Sequence, residues 1–230
     1  MELTKYLKTL QYPGRFIVIG KSGGALFGVY SAMGRSAASL ARIYKVDEKG
    51  DIVAVASDGT VSNEGDPELL EYRSLKWFDD GFVIANGRQI ELVKNPGFLQ
   101  NELMTAEPEP DKYLTPRITG IVSGTEAALC IARSVNGVVE RKLWPLGMAD
   151  GKGYFISTYT GADVRPTPSF AGDPVEVEFN FDSPDTLAHA VFDALAPAPP
   201  QDDYRVGVFG VKYASPSGKD SVIVNRLKKT

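Results

Sequence analysis

The sequence predicts a layered α+β fold of antiparallel sheets. Three observations carry this. Its apolar segments are short, rich in β-branched and aromatic residues, and closed off by turn residues. Two pairs of these segments are joined by tight hairpin signals, Gly23-Gly24 and Asn136-Gly137. Helical stretches fall between runs of strands instead of after every strand, which argues against a doubly wound parallel sheet.

The elements follow in order. Phe16–Gly20 and Leu26–Tyr30 flank Lys21-Ser22-Gly23-Gly24 as a first hairpin. Ile52–Ala56 and Phe82–Asn86 are further strands, with turns at Asp58-Gly59, Asp80-Gly81 and Asn86-Gly87. Between Gln89 and Met104 the spacing turns helical, and Asn95-Pro96-Gly97 divides it into two short helices. Glu107-Pro108-Glu109-Pro110 is an extended loop. Strands then begin at Arg117–Val122 and continue over 127–135, 138–144 and 153–159. Val175–Phe179 alternates as a half-exposed strand does. A helix over Asp185–Leu195 ends at the proline-rich stretch 196–200, and Tyr204–Tyr213 with Ser221–Leu227 closes the chain as a last hairpin. About 30 residues follow the prolines, too few for a second domain, so one domain over 1–230 is expected.

Composition removes several function classes. A 43% hydrophobic content supports a real core. The net charge of −4 offers no global field for nucleic acid or anionic lipid, yet a few local arginines suffice for a small anion. Cys130 lies in an apolar run and reads as a buried strand thiol. His189 reads as a helix-face residue; with one His and one Cys, neither a zinc site nor a Ser-His-Asp triad is expected. The residues from Met1 onward lack a signal peptide pattern and no apolar run is long enough to span a membrane, so a cytoplasmic protein is expected. Lys21-Ser22-Gly23-Gly24 lacks the spacing of a phosphate loop and reads as a turn.

The chemistry-bearing candidates are arginines set among small or apolar residues near strand ends: Arg15, Arg35 beside Ser36, Arg42, and Arg117. Taken singly each reads as an ordinary surface or paired arginine. Gathered at one rim, their guanidinium forks suit a phosphate monoester. Tyr72, Tyr113 and Tyr159 read as half-buried strand aromatics. Glu107 and Glu109 sit on a proline-stiffened loop, a way to present a carboxylate as well as to solvate it.

Read together and in order, these segments resemble the archaeal-type IMP cyclohydrolases and their bacterial relatives. The resemblance runs from Tyr12-Pro13-Gly14-Arg15 through Tyr30, Gly34-Arg35-Ser36 and Ser39-Leu40-Ala41-Arg42 to Tyr72 and Asn86-Gly87. It continues through Glu107-Pro108-Glu109, Tyr113, Thr115-Pro116-Arg117-Ile118, the strand Gly153–Tyr159 and Pro168–Pro174. The chain departs from the family pattern at Ala41-Arg42, where an Asn-Arg pair is usual. It departs again at Arg88-Gln89-Ile90-Glu91, where the family's Asn-Gly segment continues with Thr and Asp, and it carries its own Thr160–Arg165 segment. The arginine positions are intact.

The resemblance implies an αββα sandwich like that of the N-terminal-nucleophile hydrolases, a homo-oligomer, a purine nucleotide as small-molecule partner, and no cofactor or metal. It implies closure of 5-formamidoimidazole-4-carboxamide ribonucleotide to IMP with loss of water. For that reaction Arg15, Arg35 and Arg117 are assigned to phosphate or ribose, with Tyr30, Ser36 and Tyr159 beside the substrate. Arg42 is assigned to charge at the formyl or carboxamide oxygen, and Tyr72 to orienting the base or relaying a proton. Glu107 or Glu109 is the general base, and Asn86 contacts the ring or formyl group while Gly87 allows close backbone approach. Two other readings stay open: a nucleotide-binding relative without turnover, and an amide hydrolase of the N-terminal-nucleophile type.

Overall fold

The computed structural model describes residues 1–57, 71–95, 103–124, 126–198 and 200–227. Thirteen strands are found there, in two antiparallel sheets. The strands are β1 (Arg15–Ser22), β2 (Ala25–Met33), β3 (Arg42–Val46), β4 (Ile52–Ala56), β5 (Tyr72–Phe78), β6 (Gly81–Ala85) and β7 (Arg117–Ser123). They continue with β8 (Glu126–Val135), β9 (Val138–Pro145), β10 (Lys152–Ser157), β11 (Val175–Glu178), β12 (Arg205–Tyr213) and β13 (Lys219–Asn225). One sheet has the order β11-β10-β1-β2-β12-β13; the other is a seven-stranded meander from β3 to β9.

The sheets stack face to face and bury one large core between and beside them. They approach closely where a side chain is lacking: a Cβ on Gly28 of β2 would lie 2.5 Å from Ile84 of β6, and one on Gly120 of β7 would lie 2.7 Å from Ile17 of β1. The outer face of the six-stranded sheet carries α1 (Leu3–Leu7) and α3 (Pro184–Ala194). Ser183 caps α3 by accepting a bond from the Thr186 amide, and Pro184 stands in the first turn, where no amide donor is needed. Leu187, Ala188, Val191 and Ala194 form its buried stripe. A four-residue helix, α2 (Ala37–Leu40), links β2 to β3. The outer face of the meander is covered over Val83, Ala85, Ile121 and Cys130 by the 3-10 helices Arg88–Leu92 and Leu103–Thr105.

The α+β reading and the antiparallel sheets agree with the sequence, as do both glycine hairpins. Asn136 and Gly137 take φ of 52° and 79°, the left-handed pair a two-residue hairpin demands. Other expectations are corrected. The helical pattern from Gln89 to Met104 forms two 3-10 turns where it is described, and in the first of them Gln89 is tied to Asn86, Ile118 and Thr119 at the sheet surface. The strand expected over 153–159 ends at Ser157; Tyr159 lies beyond it, in a bridge to Ser169. Tyr113 is exposed in a turn and is not a half-buried strand aromatic. Asn86-Gly87 joins β6 to the 3-10 helix with φ of 169° at Gly87, so it is no tight turn. The Asp58-Gly59 turn and the Pro96-Gly97 break lie outside the described residues. Cys130 is a buried thiol on β8, and burial pushes its pKa up to about 12.

Candidate active site

At one end of the sandwich, both sheets deliver polar side chains to the same place. Arg15 opens β1, Arg42 opens β3 and Arg117 opens β7, while Tyr30 comes from the middle of β2 and Tyr72 from the first position of β5. Glu109 reaches in from the loop before β7. Its carboxylate accepts Arg15 Nη2 at 3.1 Å and Arg117 Nη1 at 3.0 Å. The Tyr30 and Tyr72 hydroxyls lie 3.1 Å apart. Arg42 is 2% exposed, donates Nε to the Ser39 carbonyl, and forms no ion pair among the described residues.

Tyr72 owes its direction to a β-bulge. Ile52 pairs with Leu75 but Val53 pairs with Arg73, so Ser74 is an extra residue on β5. Beyond the bulge Leu75 and Trp77 pack into the core between the sheets, and Arg73 turns to the outer face to pair with Asp51 and Glu91. Were Ser74 paired in plain alternation instead of bulged, Tyr72 would face outward with Lys76.

The electrostatics are lopsided. Three guanidiniums face one carboxylate. Arg15 Nε and Arg42 Nη1 are buried with no hydrogen-bond partner among the described residues. Burial works to raise the Tyr72 pKa, but the Arg42 and Arg15 charges and the bond from Tyr30 outweigh it and hold the phenol below its ordinary value. Tyr30 moves the opposite way, chiefly through burial. In that order Tyr72 is the phenol of the pair that gives up its proton more readily, and once ionised it accepts from Tyr30. Burial also draws Arg117 down, against the pull of Glu109 and together with the neighbouring Arg15 charge.

The other candidates surround this cluster or stand apart from it. Asn86 is fully buried; its amide donates to the Pro116 carbonyl and its side-chain oxygen accepts from Ile118 and Gln89, while its backbone carbonyl receives Arg117 Nη1 at 3.0 Å. Gly87 allows that arrangement, because a Cβ there would fall 1.5 Å from Arg117 Nη1. Tyr159 stacks on Tyr12 and shares a 3.0 Å bond with Thr115. Arg35 lies over the Tyr12 ring, 3.6 Å from its centroid, and is held by Asp163 and Thr167. Ser36 is exposed and caps α2. Glu107 lies outside the cluster, in an ion pair with Arg141. His189 is exposed on α3 beside Asp185.

Sequence reasoning missed Tyr44. It follows Arg42 by two on β3, so it shares that face, and it is 2% exposed against Tyr30 and Phe209. The only signal was that spacing, and it becomes readable once β3 is recognised as a strand. No group of three or more His, Cys, Asp or Glu side chains is placed to hold a metal ion among the described residues.

Fold and cluster together define a class: a two-sheet antiparallel α+β protein with a buried arginine–tyrosine site suited to an anionic ligand. Comparison with known proteins then gives the family. Residues 12–200 match the family described as IMP cyclohydrolase-like protein, and the chain belongs to it. It is 29% identical to the IMP cyclohydrolase of Natronomonas pharaonis over 72% of this chain and 82% of that protein. It is 25% identical to the IMP cyclohydrolase of Methanosphaera stadtmanae, over 74% of this chain and 85% of that protein. The IMP cyclohydrolase of Methanococcus maripaludis is 25% identical over 66% of this chain and 77% of its own length.

Proposed function

We propose that this protein is an IMP cyclohydrolase of de novo purine synthesis. It closes 5-formamidoimidazole-4-carboxamide ribonucleotide to IMP, with its chemistry carried by the buried arginine–tyrosine cluster. The observation that carries this reading is the excess of guanidinium over carboxylate in that cluster, in a chain whose relatives bear the activity. An unneutralised buried cation is expensive, and an anionic substrate or a developing oxyanion offsets that cost.

Ring closure asks little of covalent chemistry. The carboxamide nitrogen attacks the formyl carbon within one molecule, the formyl oxygen gains negative charge, and water leaves. Folding the two arms together can contribute about 7 kcal/mol in a favourable case. Arg42, with Nη1 unpartnered, is assigned to the oxyanion. Tyr72, flanked by Arg42 and Arg15, is the base that removes the nitrogen's proton. Both Glu109 oxygens lie within hydrogen-bond distance of Arg15, and one also accepts Arg117. That makes Glu109 the anion that sets the arginines in place, ahead of a proton acceptor. Arg15 and Arg117 then serve phosphate or ribose, with Arg35 and Tyr159 at the rim.

The departures that follow Asn86-Gly87 leave the charged groups of this cluster in place. Glu91 pairs with Arg73 on the outer face of the meander, and Gln89 is spent on internal bonds. This favours an active enzyme over a nucleotide-binding relative without turnover. The finer fold assignment, an αββα sandwich of N-terminal-nucleophile type in one domain, is supported by the shared core and by helices on both outer faces, those over the meander being 3-10 turns. A homo-oligomer is supported by open edges, where Val138 at the start of β9 is 69% exposed. No helix among the described residues is long and apolar enough to cross a membrane, in keeping with a cytoplasmic enzyme.

The test is direct. Purified protein with the formamido ribonucleotide should form IMP, with and without a chelator. The rate should rise with pH through an ionisation below the ordinary tyrosine range, because the competent form is the tyrosinate, and Tyr72→Phe should abolish that limb. Absence of turnover, with IMP still raising the melting temperature, would leave only nucleotide binding.

A further inference from the structure

The buried Tyr44 hydroxyl is left unexplained by the reaction as written. Its ring is fully packed, edge-on to Tyr30 at 5.7 Å and to Phe209 at 5.7 Å, over the bare Gly207 of β12. Its oxygen is buried and completes no hydrogen bond among the described residues, although the Tyr30 hydroxyl is near enough to act on it. Phenylalanine would fill the same slot without stranding a polar group, so stability gives no reason for the hydroxyl. It lies two residues along β3 from Arg42 and in electrostatic reach of Tyr72.

We infer that Tyr44 is a positioning residue for Tyr72, the third phenol of a buried Tyr44–Tyr30–Tyr72 array that holds the tyrosinate in place. Tyr30 donates to Tyr72, and the Tyr44 hydroxyl is free to donate onward to Tyr30 or to Tyr72 once charge appears there. Burial keeps the Tyr44 proton on well above the ordinary tyrosine range, so it stays neutral with its proton available to donate. The charged and titratable groups facing Tyr72 are Arg15 from β1, Tyr30 from β2, Arg42 and Tyr44 from β3, Arg117 from β7, and Glu109 from its loop. Removing the Tyr44 donor leaves the two nearest arginines in place, so it should weaken the hold on the tyrosinate without abolishing it.

This inference deepens the proposed cyclohydrolase site and rests on that reading for its catalytic consequence, though its first readout needs no substrate. The full chain and its Tyr44→Phe variant are titrated by the ultraviolet absorbance of tyrosinate, with Tyr72→Phe identifying which component belongs to Tyr72. In Tyr44→Phe the Tyr72 component should move up by about one pH unit, a tenfold weaker hold on the anion. The melting temperature should stay level or rise, and the alkaline limb of the ring-closure rate should shift by the same interval. Tyr44→Met, which removes the hydroxyl but fills the slot flexibly, should move the component in the same direction. A Tyr72 component that stays in place in both folded variants overturns the inference. If the component moves but no variant closes the ring, the array stands and the cyclohydrolase reading alone fails.

Discussion

Arg42 begins β3 almost wholly buried, held by one bond to the Ser39 carbonyl and facing no carboxylate among the described residues. A charge kept in that setting has been selected for something other than stability. Arg42→Met should therefore separate the two properties. Ring closure should fall by about 10²- to 10³-fold, while the melting temperature of the free protein should hold or rise by about 3 °C. Parallel loss of activity and stability, measured by turnover and calorimetry, would make Arg42 a structural residue. The arginines were legible in the sequence because Arg15, Arg42 and Arg117 stand among small or apolar neighbours at strand starts, where a solvated arginine has no need to be. The choice between Glu107 and Glu109 was not legible. Both are flanked by proline, and only the fold turns Glu109 to Arg15 and Arg117 while leaving Glu107 to Arg141.

Among the elements, β5 decides whether there is a site at all. Its bulge absorbs the extra residue Ser74, so that Tyr72 comes inward on the same face as Leu75. Deleting Ser74 should close the bulge into plain alternation with Tyr72 still beside Leu75 on the inner face, so turnover should be kept along with the β-sheet circular dichroism. Loss of turnover in the folded deletion variant would show that the bulge shapes the site beyond setting which face Tyr72 takes. The bulge also explains why β5 escaped period-two reading, since Tyr-Arg-Ser-Leu-Lys-Trp-Phe does not alternate cleanly across it. Strand β3 escaped because it is short and runs straight into Asp47-Glu48-Lys49, which reads as a turn. The helix α3 was legible to within a residue at each end, because its serine cap, first-turn proline and apolar stripe agree.

For the molecule as a whole, the antiparallel character was readable from hairpin turns and strand runs, but the partner of each sheet edge was not. Nothing local in β10 or β12 says that they flank the first hairpin, and those pairings join segments more than a hundred residues apart. Long-range pairing is set by which buried faces fit, a property of the assembled core. The same assembly sets the charge balance. The chain carries −4 overall, so the cationic cluster is a local exception inside an acidic protein. IMP or inorganic phosphate should accordingly raise the melting temperature of the wild type more than that of Arg42→Met.

The groups of the proposed site come from both sheets, Arg15 and Tyr30 from one and Arg42, Tyr72 and Arg117 from the other. Neither sheet holds half an enzyme. Prise the layers apart by a few ångströms and the tyrosines part company, Arg15 leaves Arg42 and Arg117, and on the proposed reading chemistry stops before a strand has frayed. In a denaturant series, turnover should vanish no later than the tryptophan signal from Trp77, whose ring lies in the seam against Phe82. Catalysis then serves as the gauge of whether the two layers are closed, and damage anywhere along the seam, however distant from the nucleotide, is felt as lost rate.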